Sequence, residues 1–242
     1  MKRYVNSAAD GMTSKQRQKL AKNSTSPKEL ARLSYDNATS VRRLVARNEN
    51  TPLDVLARLA DDEDEYVRQY VAGNKNTPPK VLARLAEDEN DDVREYVSYS
   101  LNLPPEMFVR LADDEDKYVR IGAARNKNTP VKALARLADD MDEDVRKYVA
   151  ENKNTTPEVL ARLAEDENEW VRRYVAQNPN TPKEILDVLA GDTSELVRWD
   201  VLTNSNVTPT ALSILAKDGD ASVRRLVAMN EDTPSEALSY LA

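Results

Sequence analysis

Apolar and polar positions alternate along this chain in blocks of two kinds, and the pair of blocks recurs. Between Asn48 and Gly73, Val55, Leu56 and Leu59 fall on one helical face. The acidic stretch Asp61-Asp62-Glu63-Asp64 interrupts, and Val67, Tyr70 and Val71 then mark a second face. The pattern predicts two short helices per unit. Thr51-Pro52 reads as an N-cap with proline at the first helical position, and the first helix is expected to end near Ala60. Asp64 stands in a column filled elsewhere by Asn90, Asp116, Asp142, Asn168, Ser194 and Asp220, all good N-caps, so the second helix starts there. Ser26, Thr181 and Thr233, each with a glutamate three residues on (Glu29, Glu184, Glu236), predict capping boxes. Asn74 is expected near the end of the second helix, where asparagine tolerates the left-handed conformation.

The spacing of these blocks is constant. A Val-Arg pair ends on Arg42, Arg68, Arg94, Arg120, Arg146, Arg172, Arg198 and Arg224, each 26 residues after the last. Leucines (Leu33, Leu59, Leu85 and onward) and aspartates (Asp36, Asp62, Asp88 and onward) keep the same phase. Five apolar side chains per unit cannot offset the entropy of ordering it, so stability has to come from the interfaces between units. The expected fold is therefore all-α, an α-solenoid of about eight and a half two-helix repeats. Residues 1–23 are predicted to be an N-terminal capping half-repeat. There QRQKLAKN matches VRRLVARN at a spacing one residue short, and Lys2, Arg3, Lys15, Arg17, Lys19 and Lys22 give a basic, polar end. Residues 24–242 are predicted to form one continuous array. The last copy stops after its first helix and leaves Leu238, Tyr240 and Leu241 where a second helix would pack. Three readings stay open: a truncated end, a self-association surface, or a cap of unfamiliar form. A monomer is otherwise expected.

Composition narrows what such an array does. Of 242 residues 40% are hydrophobic but only 5% aromatic, with a single Phe, which is poor material for one large core and sufficient for thin stacked layers. The net charge of −7 weighs against duplex DNA and membrane surfaces as partners. The absence of Cys and His removes thiolate metal sites, the commonest general base and the commonest zinc ligand. No catalytic residue, metal ligand or cofactor is assigned, and an enzyme is not expected. No apolar run approaches the roughly 20 residues that span a bilayer. The opening MKRYVNSAADGM lacks the apolar core of a signal peptide, so a cytoplasmic protein is expected.

The pattern N-x-N-T-P-x-x-x-L-x-x-L-A-x-D followed by V-R-x-x-V-A-x-N, as in Asn50 to Asn74 and Asn154 to Asn178, resembles the variant leucine-rich repeat, related in style to HEAT-like repeats. The resemblance implies a right-handed superhelix of short helices, some of 3₁₀ type, and no chemistry of its own. One type in that family carries an N-terminal iron-sulphur cluster held by cysteines. This chain has no cysteine, so that feature does not carry over.

Each charged or polar column has a structural and a functional reading. The Arg column is either a phosphate-binding stripe or, matched copy for copy by the Asp column, a ladder of pairs between layers; the second reading is the plainer. The acidic turns lack the glycine and ligand alternation of an EF-hand and are accounted for by helix starts. The asparagine columns (Asn74, Asn126, Asn178; Asn76, Asn154, Asn180) are expected to bond turn backbone from layer to layer. Asn206-Val207-Thr208 is formally a glycosylation sequon with no sign of secretion beside it. Where Gly122 and Ala123 interrupt the tyrosine and valine columns, Phe108 either refills the lost volume or leaves a notch for a partner.

Function is expected in the columns that do not repeat. On a helical wheel centred on Val67, the positions of Tyr66, Gln69 and Gly73 point away from the core and vary freely between copies. They bring Tyr66, Tyr99, Tyr118, Ile121, Trp170, Arg173 and Trp199 to one face, and these are the candidate binding residues. The expectation is a non-catalytic scaffold for a protein or an extended peptide. A nucleic-acid-binding HEAT-like array and a consensus-like or designed array without a natural ligand are the alternatives.

Overall fold

The structure is a computed structural model that describes residues 11–241; Lys2, Arg3 and Ala242 lie outside the described residues. Those residues form eighteen α-helices and no strand, in two compact units, Met1–Asn126 and Lys127–Ala242. The first unit holds α1 (Ser14–Asn23), α2 (Pro27–Leu33), α3 (Thr39–Arg47), α4 (Leu53–Leu59), α5 (Glu65–Ala72), α6 (Pro79–Leu85), α7 (Asp91–Ser98), α8 (Pro105–Leu111) and α9 (Lys117–Arg125). The second holds α10 (Val131–Leu137), α11 (Glu143–Glu151), α12 (Pro157–Leu163), α13 (Glu169–Gln177), α14 (Lys183–Leu189), α15 (Glu195–Thr203), α16 (Pro209–Leu215), α17 (Ala221–Met229) and α18 (Ser235–Leu238). Odd-numbered helices are the second helices of their repeats. In each unit they pack directly on one another in a row, while the first helices are more loosely spaced, so each unit is a stack of the α-solenoid kind. The 3₁₀ segments that the family resemblance implies do not occur among the described residues.

The five apolar positions expected to make each layer do so: Val55, Leu56, Leu59, Val67 and Val71 are all 2% exposed or less. A helix of seven residues buries too little to persist alone, and it persists here because the layers above and below cover both of its sides.

Two polar ladders lock the register of the layers. In the first, Arg42 directs Nε and Nη2 at both carboxylate oxygens of Asp62 in the next repeat, at 2.8 and 2.9 Å. Its Nη1 donates to the Asp36 carbonyl of its own repeat at 2.9 Å. The arrangement recurs at Arg68 with Asp88 and Arg94 with Asp114, and in the second unit at Arg146 with Asp166, Arg172 with Asp192 and Arg198 with Asp218. The aspartate thus serves the preceding layer through its carboxylate and its own layer through its carbonyl. The fork hydrogen bond from Arg172 and the Ser194 amide outweigh the burial of Asp192 and hold its carboxyl below the ordinary aspartate range. In the second ladder, Asn74 Nδ2 donates to the carbonyls of Ala46 and Asn48, and Asn178 Nδ2 to those of Ala150 and Asn152. Asn76 and Asn180 likewise reach back to Glu49 and Lys153. Both sets of columns are therefore structural, as their regularity suggests.

Three local expectations need correction. Thr51 is not the cap of α4: its hydroxyl donates to the Val45 carbonyl at 2.6 Å, tying down the end of α3, and Pro52 occupies the cap position. Thr181 is used in the same way, so its capping box does not form, and neither does that of Thr233. Ser26 does cap α2, but the Glu29 carboxylate accepts from the Ser24 hydroxyl instead of closing a box; the complete box is Thr13 with Gln16 on α1. No residue other than glycine has positive φ among the described residues, so the terminal asparagines are not left-handed. Their role is the carbonyl ladder, which needs the extended backbone seen at Asn48 and Asn126. At the start of the second helix the expected caps hold, as in the 2.9 Å bond from the Val67 amide to Asp64, except that the Ser194 hydroxyl turns to Glu169.

Candidate functional site

The row of second helices carries the variable side chains, and packing within the row decides which of them are free. Tyr66 (44% exposed), Tyr99 (41%), Tyr118 (55%), Trp170 (49%) and Trp199 (37%) stand at the surface as the helical wheel places them. Ile121 does not, being only 7% exposed. It shares a column with Gln69, also 7% exposed, and with Arg43, Glu95, Lys147 and Arg173, all half-buried. A wheel drawn on one helix knows one covered side, whereas a second helix in the stack is covered by its own first helix and by the second helices before and after it. Ile121 is therefore a packing residue, and its column is buried or half-buried from Arg43 to Arg173, whereas Trp199 and Arg225 further along it are exposed.

Three of the four cations in that column are tied to neighbouring groups. Arg43 lies 4.3 Å from the Tyr66 ring centroid and makes a fork to Asp64 at 2.9 and 2.7 Å. That hydrogen bond holds the Asp64 carboxyl below its ordinary range. Lys147 lies 4.8 Å from the Tyr148 centroid and bonds Asp144. Arg173 lies 4.6 Å over Trp170 and donates to Asp200, buried on α15, at 2.6 Å. The structure thus joins Trp170 and Arg173 in one cluster, with the guanidinium already paired. Trp199 occupies the same column as Arg173, one repeat on, on α15.

In the first unit, the stretch from α7 to α9 departs from this plan. Gly122 is required by a close approach: a Cβ there would lie 1.7 Å from Ser98 Oγ and 2.9 Å from Ser98 Cβ. Phe108, fully buried, fills core volume on the first-helix side, so the ring does pack inward, while the space at Gly122 is taken by Ser98 and the Tyr99 ring. Before them, at the C-terminal ends of α5 and α7, lies a cavity of about 580 Å³ whose lining includes Gly73, Lys75, Glu95, Tyr96, Tyr99 and Leu101. The Tyr96 ring would sit 3.2 Å from a Cβ on Gly73, so that glycine makes room for it. Burial pushes the Glu95 carboxyl up, and the carboxylates of Asp92, Asp116 and Asp91 add to the effect.

Of this cavity the sequence reasoning singled out Tyr99 and missed Tyr96, Glu95 and Leu101. The usable signal was a double departure: Glu95, the single acidic residue in a column where four of the other seven copies place cations, and Ser100-Leu101-Asn102-Leu103 where the repeat has Asn-x-Asn-Thr. Among the described residues no group of His, Cys, Asp or Glu is arranged to hold a metal ion, and no helix is long and apolar enough to cross a membrane.

Comparisons agree with this architecture. The family described as leucine rich repeat variant matches residues 40–64. A solved leucine-rich repeat variant, described as having a novel repetitive structural motif, is similar at 29% identity over 89% of this chain and 85% of that one, with a TM-score of 0.68. An engineered protein (16% identity, 93% of this chain, 86% of that one, TM-score 0.44) and a designed armadillo repeat protein (18%, 94% and 99%, 0.33) are more distant likenesses. No curated protein matches in sequence. The repeated units are thus similar in sequence motif and in structure to the variant leucine-rich repeat, and the chain is an all-helical tandem-repeat array.

Proposed function

We propose that this array of variant leucine-rich repeats is a non-catalytic scaffold that binds extended polypeptide along the second helices of its units. The observation that supports it most is the division of labour among polar and aromatic groups. The Arg, Asp and Asn columns are consumed by the ladders, whereas Tyr66, Tyr99 and Tyr118 in one unit and Trp170 and Trp199 in the other remain exposed at the surface. Large rings exposed on a solvent face are the usual anchors of protein interfaces. A nucleic-acid partner fits less well, because the face mixes Asp92, Glu95 and Asp144 with its cations and three of those cations are paired internally.

The test is selection of random 12-residue peptides on the intact protein, followed by rebinding to the variant with both Trp170→Ala and Trp199→Ala. Affinity is expected to fall by roughly 10- to 100-fold with an unchanged far-UV circular dichroism spectrum. Equal binding by the variant rejects this placement of the site.

A further inference from the structure

The chain's own repetition provides a control for the cavity between the ends of α5 and α7. Of the seven other copies, four hold a cation in the column of Glu95 and three hold Gln69, Ile121 or Trp199. Of the cations, Arg43, Lys147 and Arg173 each lie over an aromatic ring, at 4.3, 4.8 and 4.6 Å, while paired to a carboxylate. In the copy carrying α7 the residue in that column is Glu95, of opposite sign, and it lines the cavity together with two rings, Tyr96, which is the counterpart of Tyr148, and Tyr99. Lys75 lines the cavity, and its ammonium is bonded to the Glu49 carboxylate at 2.6 Å. Arg125 approaches the Tyr99 ring at 5.9 Å, the edge of useful range, and does not line the cavity. The nearby Asp91, Asp92 and Asp116 are acidic and push the Glu95 carboxyl further up.

We propose that this cavity receives an arginine side chain of the bound polypeptide, stacked on Tyr96 and Tyr99 and forked onto Glu95, so that the partner supplies the cation that three other repeats supply for themselves. The proposal rests on the scaffold reading above and names the chemistry of one subsite. Arginine fits better than lysine because its planar guanidinium stacks on a ring face and at the same time offers two parallel N–H groups to one carboxylate. A glutamate side chain would meet only like charge.

The experiment is a titration of the ¹⁵N-labelled full chain with the blocked tripeptides Gly-Arg-Gly, Gly-Lys-Gly and Gly-Glu-Gly at fixed ionic strength. The arginine peptide is expected to give saturable shifts at the amides of Gly73, Lys75, Tyr96 and Leu101, the lysine peptide weaker ones there, and the glutamate peptide none. Glu95→Gln, nearly isosteric, is expected to weaken arginine binding by about tenfold, and Glu95→Lys to abolish it. Shifts spread over surface carboxylates generally, or the same affinity in Glu95→Gln, would overturn the site. The two proposals fail separately. Selected 12-residue peptides that depend on Trp170 and Trp199 but show no arginine preference and no response to Glu95→Gln would remove the subsite and keep the scaffold. Tripeptide binding without any selectable longer peptide would do the reverse.

Discussion

The stretch from α7 to α9 and the stretch from α11 to α13 share a frame and differ in what hangs on it. Both keep the guanidinium fork between layers, Arg94 to Asp114 in one and Arg146 to Asp166 in the other, and both use an asparagine to bond carbonyls of the preceding layer wherever one is present. The second stretch follows the repeat, with Tyr148 and Tyr174 in the tyrosine column and cations at Lys147 and Arg173. The first replaces the column tyrosine with Gly122, the asparagine with Ser100 and the cation with Glu95, and a cavity stands where the second stretch is internally neutralised. Because main-chain and fork contacts carry the register, the variable columns are free to change together, and a recognition site can arise without loss of the stack.

Four measurements probe that contrast, the largest effect first. Arg94→Ala and Arg146→Ala each leave a largely buried aspartate without its fork, and both are expected to cost about 3 kcal/mol or more in urea unfolding. A much smaller cost at Arg94 alone would show that the two stretches do not share a frame. Gly122→Ala would gain up to about 1 kcal/mol in an open helix. Here, with Ser98 Cβ 2.9 Å from the new methyl, it is expected to lose about 2 kcal/mol instead. A gain would mean that α7 and α9 are not held at this approach. Ser100→Asn restores the carbonyl ladder to the first stretch and is expected to stabilise it by about 1 kcal/mol, read as a rise in the unfolding midpoint.

The smallest effect is a matter of sign. Glu95 has its folded carboxyl raised, so the folded state holds that proton longer, and its penalty grows as pH rises through and above the ordinary glutamate value of about 4.3. Glu95→Gln should therefore be slightly more stable than the natural chain at pH 7, with the advantage shrinking toward pH 4. Asp192, held low by Arg172, works the other way: its contribution is present above the ordinary aspartate value of about 3.9 and is lost as pH falls through the lower folded one. An advantage of Glu95→Gln that grows on acidification would show that Glu95 is already paired.

The 26-residue period, the two helices per unit, the five apolar positions of each layer and the structural nature of the Arg, Asp and Asn columns were all legible in the chain, because each is a local rule copied many times. What misled was also local. Thr51 looked like a cap because threonine before proline usually is one, but the carbonyl of Val45 competes for its hydroxyl and wins. Ile121 looked exposed because a wheel describes a helix in isolation.

The sequence alone determined the layer, since periodicity and side-chain chemistry act within one repeat and between adjacent ones. Tertiary structure decided which side chains the row of second helices swallows, which cations are already spent on neighbouring rings and acids, and where Gly73 and Gly122 let rings lean over. Those outcomes depend on distances between residues some 26 apart that touch only once the layers are stacked, and no pattern within a single repeat encodes them.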